Sequence, residues 1–284
     1  MNGSPGKYVN PLTDFGFKKI FGEEPNKDIL ISFLNELLPV RHTIKDLSYA
    51  KNERMGQSIL DRKAIFDLYC TSTTGERFIV ELQKAKQNYF KDRSVFYSSF
   101  PVQEQAQKGD WDFRLDAVYT IGILDFIFDD HKHDEELFHI VELKNQRNEV
   151  FYDKLKYIYI ELPKFTKQES ELKTDFDKWL YVFRHLAELE KRPAELKERV
   201  FERLFEVAEI GNFSKIERAA YEESLKYYRD IKNVVNTSRE EGSFSAKVAI
   251  ARRMLTNGMP PTQVAQLTGL TAQEIADLTN GPTN

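Results

Sequence analysis

Hydrophobic and polar residues alternate along residues 62–83, and this alternation predicts a β-hairpin. The first predicted arm, residues 63–71, is rich in β-branched and aromatic side chains, and the second arm, residues 77–83, alternates in the same way. Polar residues ending in Gly75 separate the arms and form the predicted turn. The hairpin organises the interpretation of the whole chain because its polar face carries distinctive side chains.

Three polar residues share one face of this hairpin. Successive side chains point to opposite faces of a strand, so folding at Gly75 can bring Asp67, Glu81 and Gln83 together. Two carboxylates flanked by apolar residues are unfavourable unless they are neutralised, and a divalent metal ion suits carboxylate oxygen. The solvated face of an exposed hairpin would show the same alternation, so the pattern alone leaves both interpretations open.

A cluster of basic residues, interleaved with aromatic residues, follows the second arm. Cations beside paired carboxylates suit a substrate that carries phosphates. We therefore expect four side chains to bind the phosphates of a substrate, and these are Lys84, Lys86, Lys91 and Arg93.

Amphipathic helices and apolar strands surround the predicted hairpin. Thr13 or Asp14 begins the first helix, Pro39 ends the second, and Gly109 closes a helix that follows the hairpin. This order of elements predicts one α/β domain with a central mixed sheet flanked by helices. The predicted helices are residues 13–21, 26–38 and 89–108, and the other predicted strands are residues 44–50, 116–128, 137–143 and 157–162.

Strand signals disappear after residue 168, where charged amphipathic helices replace them. We interpret the charged faces of these helices as solvated surfaces without chemistry of their own. The predicted helices are residues 179–189, 194–210 and 214–235. The predicted organisation is an α/β domain over residues 8–165, a charged helical region over residues 166–240 and a small helical segment over residues 241–284.

The last segment has the outline of a helix-turn-helix, in which a Gly-containing turn joins two short helices. Thr271 and Glu274 fit a capping box at the start of the final helix. That helix carries Glu274 and Asp277 but no Lys or Arg, whereas a recognition helix normally presents cations to DNA. We therefore expect the segment to join chains into a homo-oligomer, namely a dimer, with DNA reading as the alternative. The predicted helices are residues 246–255, 262–267 and 271–278.

Composition narrows the class of protein. With 284 residues, of which 41% are hydrophobic, the chain can bury a sizeable core. A net charge of −4 argues against non-specific coating of nucleic acid but permits a local basic groove. The longest apolar run, residues 117–128, is too short to span a bilayer, and the N-terminus has no apolar signal region. We expect a cytoplasmic protein with no membrane partner.

The single cysteine, Cys70, excludes an intramolecular disulfide, and its place on the apolar face of the hairpin predicts a buried thiol. No Cys/His spacing typical of a zinc site is present in the sequence. His131 and His133 fall in an acidic segment, residues 129–136, which we interpret as a solvated loop, with a fortuitous metal contact as the alternative.

Several segments together resemble one known family, which is the Rpn-type recombination-promoting nuclease/transposase family within the PD-(D/E)XK nuclease superfamily. The resemblance runs nearly end to end, so it is more specific than the hairpin alone. The matching segments are Asn-Pro-Leu-Thr-Asp-Phe-Gly-Phe-Lys-Lys-Ile-Phe-Gly at 10–22, Phe66-Asp67 followed by Gly75 and Glu81-Leu82-Gln83, and residues 91–97, 160–165 and 257–270.

The resemblance implies a PD-(D/E)XK nuclease-like α/β core followed by an all-helical C-terminal region. It also implies a DNA endonuclease that hydrolyses phosphodiester bonds with Mg²⁺, or with Mn²⁺ or Ca²⁺, and takes part in DNA recombination. Asp67 and Glu81 would be the metal ligands. The superfamily has a catalytic Lys where this chain has Gln83, so Lys84 or Lys86 would supply the charge. Lys86 is preferred, because strand alternation turns Lys84 to the opposite face.

The superfamily also places an acid on its first helix. Glu36 is the candidate for this third metal ligand, with Glu23 and Glu24 as rivals.

A second segment matches the superfamily motif more literally. Glu142-Leu143-Lys144 is a Glu-x-Lys sequence at a predicted strand end, and acidic residues that include Asp134 precede it. No predicted metal-bearing strand precedes it, however, so the hairpin with Asp67 and Glu81 is the preferred site.

Overall fold

The computed structural model describes residues 6–38, 43–50, 53–54, 64–106 and 109–280. Its main sheet has six strands in the order β1-β4-β5-β6-β8-β7, and a separate two-stranded sheet pairs β2 with β3. β5, β6 and β8 run parallel to one another, and the other pairs are antiparallel, so the sheet is mixed as predicted. The strands are β1 Leu47–Tyr49, β2 Glu53–Arg54, β3 Ala64–Ile65, β4 Leu68–Ser72, β5 Arg77–Gln83, β6 Val118–Leu124, β7 Phe138–Lys144 and β8 Val150–Glu161.

Eight α-helices accompany the strands in the described part of the chain. The first begins where the sequence predicts, because the Thr13 hydroxyl accepts a hydrogen bond from the Gly16 N–H at 3.0 Å and caps the helix. The helices are α1 Asp14–Phe21, α2 Lys27–Leu37, α3 Phe90–Gln103, α4 Asp175–His185, α5 Arg199–Ala208, α6 Lys215–Thr256, α7 Pro261–Thr268 and α8 Ala272–Asn280.

The predicted hairpin is present as β4 and β5, but its first arm is shorter than predicted. Ala64–Ile65 pairs with β2 in the separate sheet, and residues 66 and 67 lie outside the strands. The register places Leu68 opposite Val80 and Tyr69 opposite Ile79. Gly75 lies in the turn with φ +99°, a backbone conformation that residues other than glycine rarely adopt. The thiol of Cys70 is fully buried, as predicted. The hairpin is buried on both faces, because Cys70 and Val80 belong to the main core whereas Tyr69 and Ile79 belong to a second apolar cluster.

Aromatic side chains hold the helices against the sheet. Phe21 of α1 and Phe33 of α2 pack against Trp179 and Phe183 of α4, with ring centroids 5.2–5.9 Å apart. Buried residues of α5 belong to the same hydrophobic cluster. The charged helical region predicted over residues 166–240 thus contributes α4 and α5 to the core that supports the hairpin.

The chain forms two compact units, residues 1–228 and residues 229–284. In the second unit, Ala251, Val264, Leu270 and Ile275 are buried and form a small core. Gly269 ends α7 in a left-handed conformation, and the predicted capping box at Thr271 is confirmed. No helix in the described ranges is long and apolar enough to cross a membrane.

Several predicted boundaries were wrong, including those of α4, which spans Asp175–His185 and not residues 179–189. The separate helices predicted at residues 214–235 and 246–255 are one 42-residue helix, α6. Gly242 and its neighbouring serines lower helix propensity by only about 1 kcal/mol or less each, which strong helix formers around them offset. β8 begins at Val150, seven residues before the predicted strand, because its first half pairs with the β7 end across a bulge.

Candidate active site

Asp67 and Glu81 lie at the same end of the hairpin. Asp67 is the residue before β4, and Glu81 on β5 follows Val80, the partner of Leu68. The Leu82 backbone N–H donates to Asp67 Oδ2 at 2.7 Å, and the Asp67 N–H donates to Glu81 Oε1 at 3.3 Å. Each carboxylate is therefore oriented by the backbone of the opposite arm of the hairpin. The structure thus brings Asp67 and Glu81 close together, as the sequence predicts.

Both carboxyl groups are placed where a negative charge is poorly stabilised. Burial, followed by the charge of Asp67, raises the pKa of Glu81 to about 8. Burial also raises the pKa of Asp67, although the hydrogen bond from the Leu82 N–H acts in the opposite direction. Two hard oxygen donors facing each other with raised pKa values fit a divalent cation, which would neutralise both.

Gln83 follows on the same face of β5 and is buried. Its Nε2 donates to the Ala85 carbonyl at 2.9 Å, and its Oε1 accepts from Arg93 Nη2 at 2.5 Å. The amide is thus a link between the β5 end and α3. The charge of Arg93 also acts on Glu81 and opposes the rise in its pKa. Arg93 therefore brings a cation to the place where the sequence has Gln83 in place of Lys.

Lys18 and Lys84 also act on the carboxylate pair. The charges of both oppose the rise in the pKa of Asp67, and the charge of Lys18 opposes the rise in the pKa of Glu81. Burial lowers the pKa of Lys84, while the charges of Asp14 and Asp67 act to raise it. Its ammonium lies 5.5 Å from the centroid of the Tyr227 ring. A partly buried ammonium next to Asp67 is the kind of group that stabilises developing negative charge.

Lys86 and Lys91 are engaged elsewhere. Lys86 forms an ion pair with Asp129, and Lys91 Nζ lies 2.7 Å from Asp130 Oδ2, so both are tied to the turn after β6. The expectation that Lys86 reaches into the site from its loop is corrected, because its ammonium contacts Asp129. Of the four predicted phosphate-binding cations, Lys84 and Arg93 are the two whose charges oppose the rise in the pKa of Asp67 and of Glu81, respectively.

Glu36, the predicted acid of the first helices, has its charged neighbours on α4. Glu36 has a pKa raised by burial and by Asp175, and its other charged neighbour is Lys178 of α4, so the structure does not bring it to Asp67. Asp14 at the start of α1 does act on Asp67. The rival candidates are engaged as well, since Glu23 pairs with Lys19 and Glu24 with Lys27.

Asp14 also borders a groove of about 640 Å³. The groove lies between α1, the first half of α6 and the hairpin end, where Leu68 and Lys84 form its wall. These two residues adjoin Asp67 and Gln83 in sequence. Sequence reasoning used Asp14 only as a helix start and so missed it as a site residue. The signal was its place in the 10–22 segment that carries the family resemblance.

The literal Glu-x-Lys segment has a structural explanation. Glu142 lies on β7, where Lys156 Nζ contacts its Oε1 at 2.5 Å and Lys144 Nζ lies 3.4 Å from its Oε2. These two lysines hold the pKa of Glu142 below its ordinary value, mainly through the Lys156 hydrogen bond. The carboxylate is therefore already paired with two lysines in an ion-pair cluster.

A third constellation brings two histidines to one buried carboxylate. His131 Nδ1 lies 3.1 Å from Glu161 Oε1, and His139 Nε2 lies 3.4 Å from Glu161 Oε2. The interpretation of the segment around His131 as a wholly solvated loop was therefore wrong for this residue, although His133 is exposed. The sequence shows no spacing that links residue 131 to residue 161.

The mixed sheet, its flanking helices and the paired acids at one end of the hairpin define a PD-(D/E)XK nuclease-like α/β protein. Residues 11–238 match the family model described as PD-(D/E)XK nuclease family transposase, and the chain belongs to this family. Residues 244–280 match the C-terminal HTH domain of the Rpn/YhgA-like nuclease family. The resemblance to an Rpn-type nuclease/transposase and the helix-turn-helix outline are confirmed. No curated protein and no solved structure matched the chain.

Proposed function

We propose that the chain is a metal-dependent DNA endonuclease, a hydrolase that cleaves phosphodiester bonds in DNA recombination. The observation that carries this proposal is the pair of Asp67 and Glu81, whose carboxylates are oriented by hydrogen bonds from backbone N–H groups. The pair lies on the hairpin of a chain that belongs to a nuclease family. Two partly buried carboxylates held close together destabilise a fold, so their presence points to a function that uses them.

Asp67 and Glu81 would hold Mg²⁺, or Mn²⁺ or Ca²⁺ in its place, and Asp14 would add a third acid from α1 instead of Glu36. When bound, Mg²⁺ supplies Lewis acidity that lowers the pKa of water and neutralises phosphate charge. Lys84 would stabilise the charge that develops on the scissile phosphate. Arg93 keeps Gln83 in place and presents a guanidinium beside Glu81.

DNA would be held by cations that already have acidic partners in the protein. Lys86 and Lys91 pair with Asp129 and Asp130 at the surface, where ion pairs are weak and screened by salt. Phosphates of an approaching strand compete with these carboxylates for the same ammonium groups. We therefore assign Lys86 and Lys91 to DNA positioning and Lys84 to the reaction itself.

A plasmid-nicking assay tests the proposal. Wild-type protein is expected to nick supercoiled DNA with Mg²⁺ or Mn²⁺, whereas Asp67→Asn and Glu81→Gln reduce the rate to background. Glu142→Gln is the matched control, because it changes a Glu-x-Lys glutamate that lies in an ion-pair cluster away from the hairpin face. Equal nicking by wild type and Asp67→Asn, or loss of nicking in Glu142→Gln alone, would contradict the assignment.

The alternative is a protein that has kept the nuclease fold as a DNA-binding or oligomerising module with weakened catalysis. One observation favours it, which is that both polar ends of the Gln83 amide are engaged by Ala85 and Arg93. That amide is therefore committed to a structural link and supplies no ammonium. Tight DNA binding without nicking in Mg²⁺ and in Mn²⁺ would establish this alternative.

The C-terminal unit is proposed to serve DNA binding and dimer formation. Its match to an HTH domain supports the first role. Exposed apolar side chains on α6 and α7, including Val234 and Leu267, support the second. Light scattering on the full chain tests dimer formation, which Leu267→Asp and Val234→Asp are expected to disrupt. A monomeric wild type at micromolar concentration would contradict it.

A further inference from the structure

Three consecutive elements of the sheet region direct one side chain each to a common point. His131 ends the short 3₁₀ turn Asp129–His131 after β6, His139 lies on β7, and Glu161 ends β8. The candidate ligand atoms of these three side chains all lie within 4.8 Å of one another. The two imidazole rings face each other, with centroids 4.2 Å apart and planes inclined by 30°. This convergence is separate from the Asp67–Glu81 pair.

The supporting groups hold the carboxylate in a fixed orientation. Glu161 is 0% exposed, and its Oε1 accepts the Phe128 N–H at 2.8 Å. Lys164 Nζ lies 2.7 Å from Glu161 Oε2 and also donates to the Glu136 carbonyl at 2.7 Å. Outer hydrogen bonds of this kind orient a ligand and keep it ionised. The His131 ring is further fixed by an edge contact with Phe128 at 5.3 Å.

The cluster is open to ions from solvent on its imidazole side. The side chains of His131 and His139 are 24% and 13% exposed, while the carboxylate behind them is sealed. Two imidazole nitrogens and one carboxylate oxygen form a borderline donor set, which prefers Zn²⁺ or a neighbouring transition metal to Mg²⁺. The donor set thus differs in kind from the all-oxygen pair of Asp67 and Glu81.

We infer that His131, His139 and Glu161 form a second metal site, which binds Zn²⁺ through three protein ligands and leaves one position to water. An ion there joins the turn after β6 to β7 and to the end of β8. The same turn carries Asp129 and Asp130, the partners of Lys86 and Lys91. The site therefore fixes the acidic turn that pairs with Lys86 and Lys91. The inference goes beyond the proposed nuclease activity and does not depend on it.

The test measures metal binding by the full chain, and nicking is not its readout. The Glu81→Gln variant is stripped with a chelator and titrated with Zn²⁺ by calorimetry, so that the carboxylate pair no longer contributes. We expect one Zn²⁺ per chain. His131→Ala and His139→Ala in that background are expected to weaken binding by more than about 100-fold, since loss of an outer-shell partner alone typically costs 10–100-fold. His133→Ala, an exposed histidine two residues from His131, is the matched control and is expected to bind as before.

Co²⁺ provides a readout that needs no histidine variant. In the Glu81→Gln chain, Co²⁺ bound by two imidazoles and a carboxylate in four-coordinate geometry is expected to give intense visible absorption, which Zn²⁺ then displaces. The inference is overturned if that chain binds no Zn²⁺, if Co²⁺ shows only the weak spectrum of the hydrated ion, or if His133→Ala weakens binding as much as His131→Ala. Circular dichroism checks each variant, and the Co²⁺ spectrum decides if a histidine variant fails to fold.

Discussion

The Asp67 N–H donates to the carboxylate of Glu81, while the carboxylate of Asp67 accepts the N–H of the residue that follows Glu81. This reciprocal arrangement holds two acidic side chains face to face at the end of a buried hairpin. The backbone therefore supports a geometry that the charges oppose. A cation bound between the two carboxylates would reduce their electrostatic repulsion and so stabilise the folded protein.

The stability of the metal-free protein should depend on pH through Glu81. Its folded-state pKa, about 8, lies above its ordinary value of 4.5. The folded state therefore binds the extra proton, so its contribution to stability is complete below about pH 4.5 and is lost as the pH rises through about 8. Thermal unfolding of metal-free wild type and Glu81→Gln at several pH values measures this difference.

We expect Glu81→Gln to be the more stable protein above about pH 8, by several kcal/mol, because each unit of difference between the folded and unfolded pKa corresponds to about 1.4 kcal/mol. The two proteins should converge near pH 5, and saturating Mg²⁺ should stabilise only the wild type. Glu142→Gln serves as the comparison. Because the pKa of Glu142 is lowered, this substitution removes an ion pair and is expected to destabilise the protein at high pH. A wild type that gains stability relative to Glu81→Gln as the pH rises would refute the raised pKa.

Lys84 and Lys86 should separate catalysis from DNA binding. Lys84→Met removes the partly buried ammonium beside Asp67 and Asp14 and is expected to lower kcat for nicking about 100-fold, with little change in KM. Lys86→Met removes a surface ammonium paired with Asp129 and is expected to leave kcat within about twofold. Single-turnover nicking at saturating protein measures the first effect.

The salt dependence of DNA binding measures the second effect. Removing one cation that binds a phosphate should reduce the slope of log affinity against log salt by about 1. We expect that reduction for Lys86→Met and Lys91→Met and none for Lys84→Met. The reverse pattern, with kcat lost in Lys86→Met, would restore the assignment of Lys86 as the catalytic cation.

Asp14 and Glu36 give a second matched pair. Asp14→Asn is expected to raise the Mg²⁺ concentration for half-maximal nicking about tenfold, because its charge acts on Asp67. Glu36→Gln is expected to leave that concentration unchanged, since its charged neighbours are Asp175 and Lys178. A Mg²⁺ titration of nicking rates distinguishes them, and a larger effect from Glu36→Gln would overturn the choice of Asp14.

Two glycines of the C-terminal unit should respond in opposite directions to substitution. Gly269 has φ +68° at the end of α7, so Gly269→Val is expected to destabilise this unit by about 1–2 kcal/mol. Gly242 lies inside α6 with no atom close to the position of an added Cβ, so Gly242→Ala is expected to stabilise it by about 0.5–1 kcal/mol.

Hydrogen exchange of residues 244–280 measures both effects within the full chain, and DNA affinity should fall with the stability of the unit. Equal protection in Gly269→Val and wild type would show that the left-handed conformation at Gly269 is not required.

Much of the hairpin could be predicted from its residues, because strand side chains repeat with period two and the turn at Gly75 is local. The same applies to the Thr13 and Thr271 caps, where donor and acceptor are three residues apart. The length of α6 was harder to predict, since glycine and serine lower helix propensity only slightly and the sequence does not show whether neighbouring residues compensate.

The amino-acid sequence by itself determined that Asp67 and Glu81 share one face, that Gln83 follows them and that the chain ends in a helix-turn-helix. Only the tertiary structure decided which groups surround the acids. Asp14 lies on α1 and its charge acts on Asp67, whereas Arg93 on α3 contacts Gln83 at the end of β5. Lys86 pairs with Asp129 instead. His131, His139 and Glu161 likewise meet because β7 and β8 pair in one sheet. Periodicity records local direction, whereas these contacts depend on the packing of distant elements, which leaves no regular spacing in the sequence.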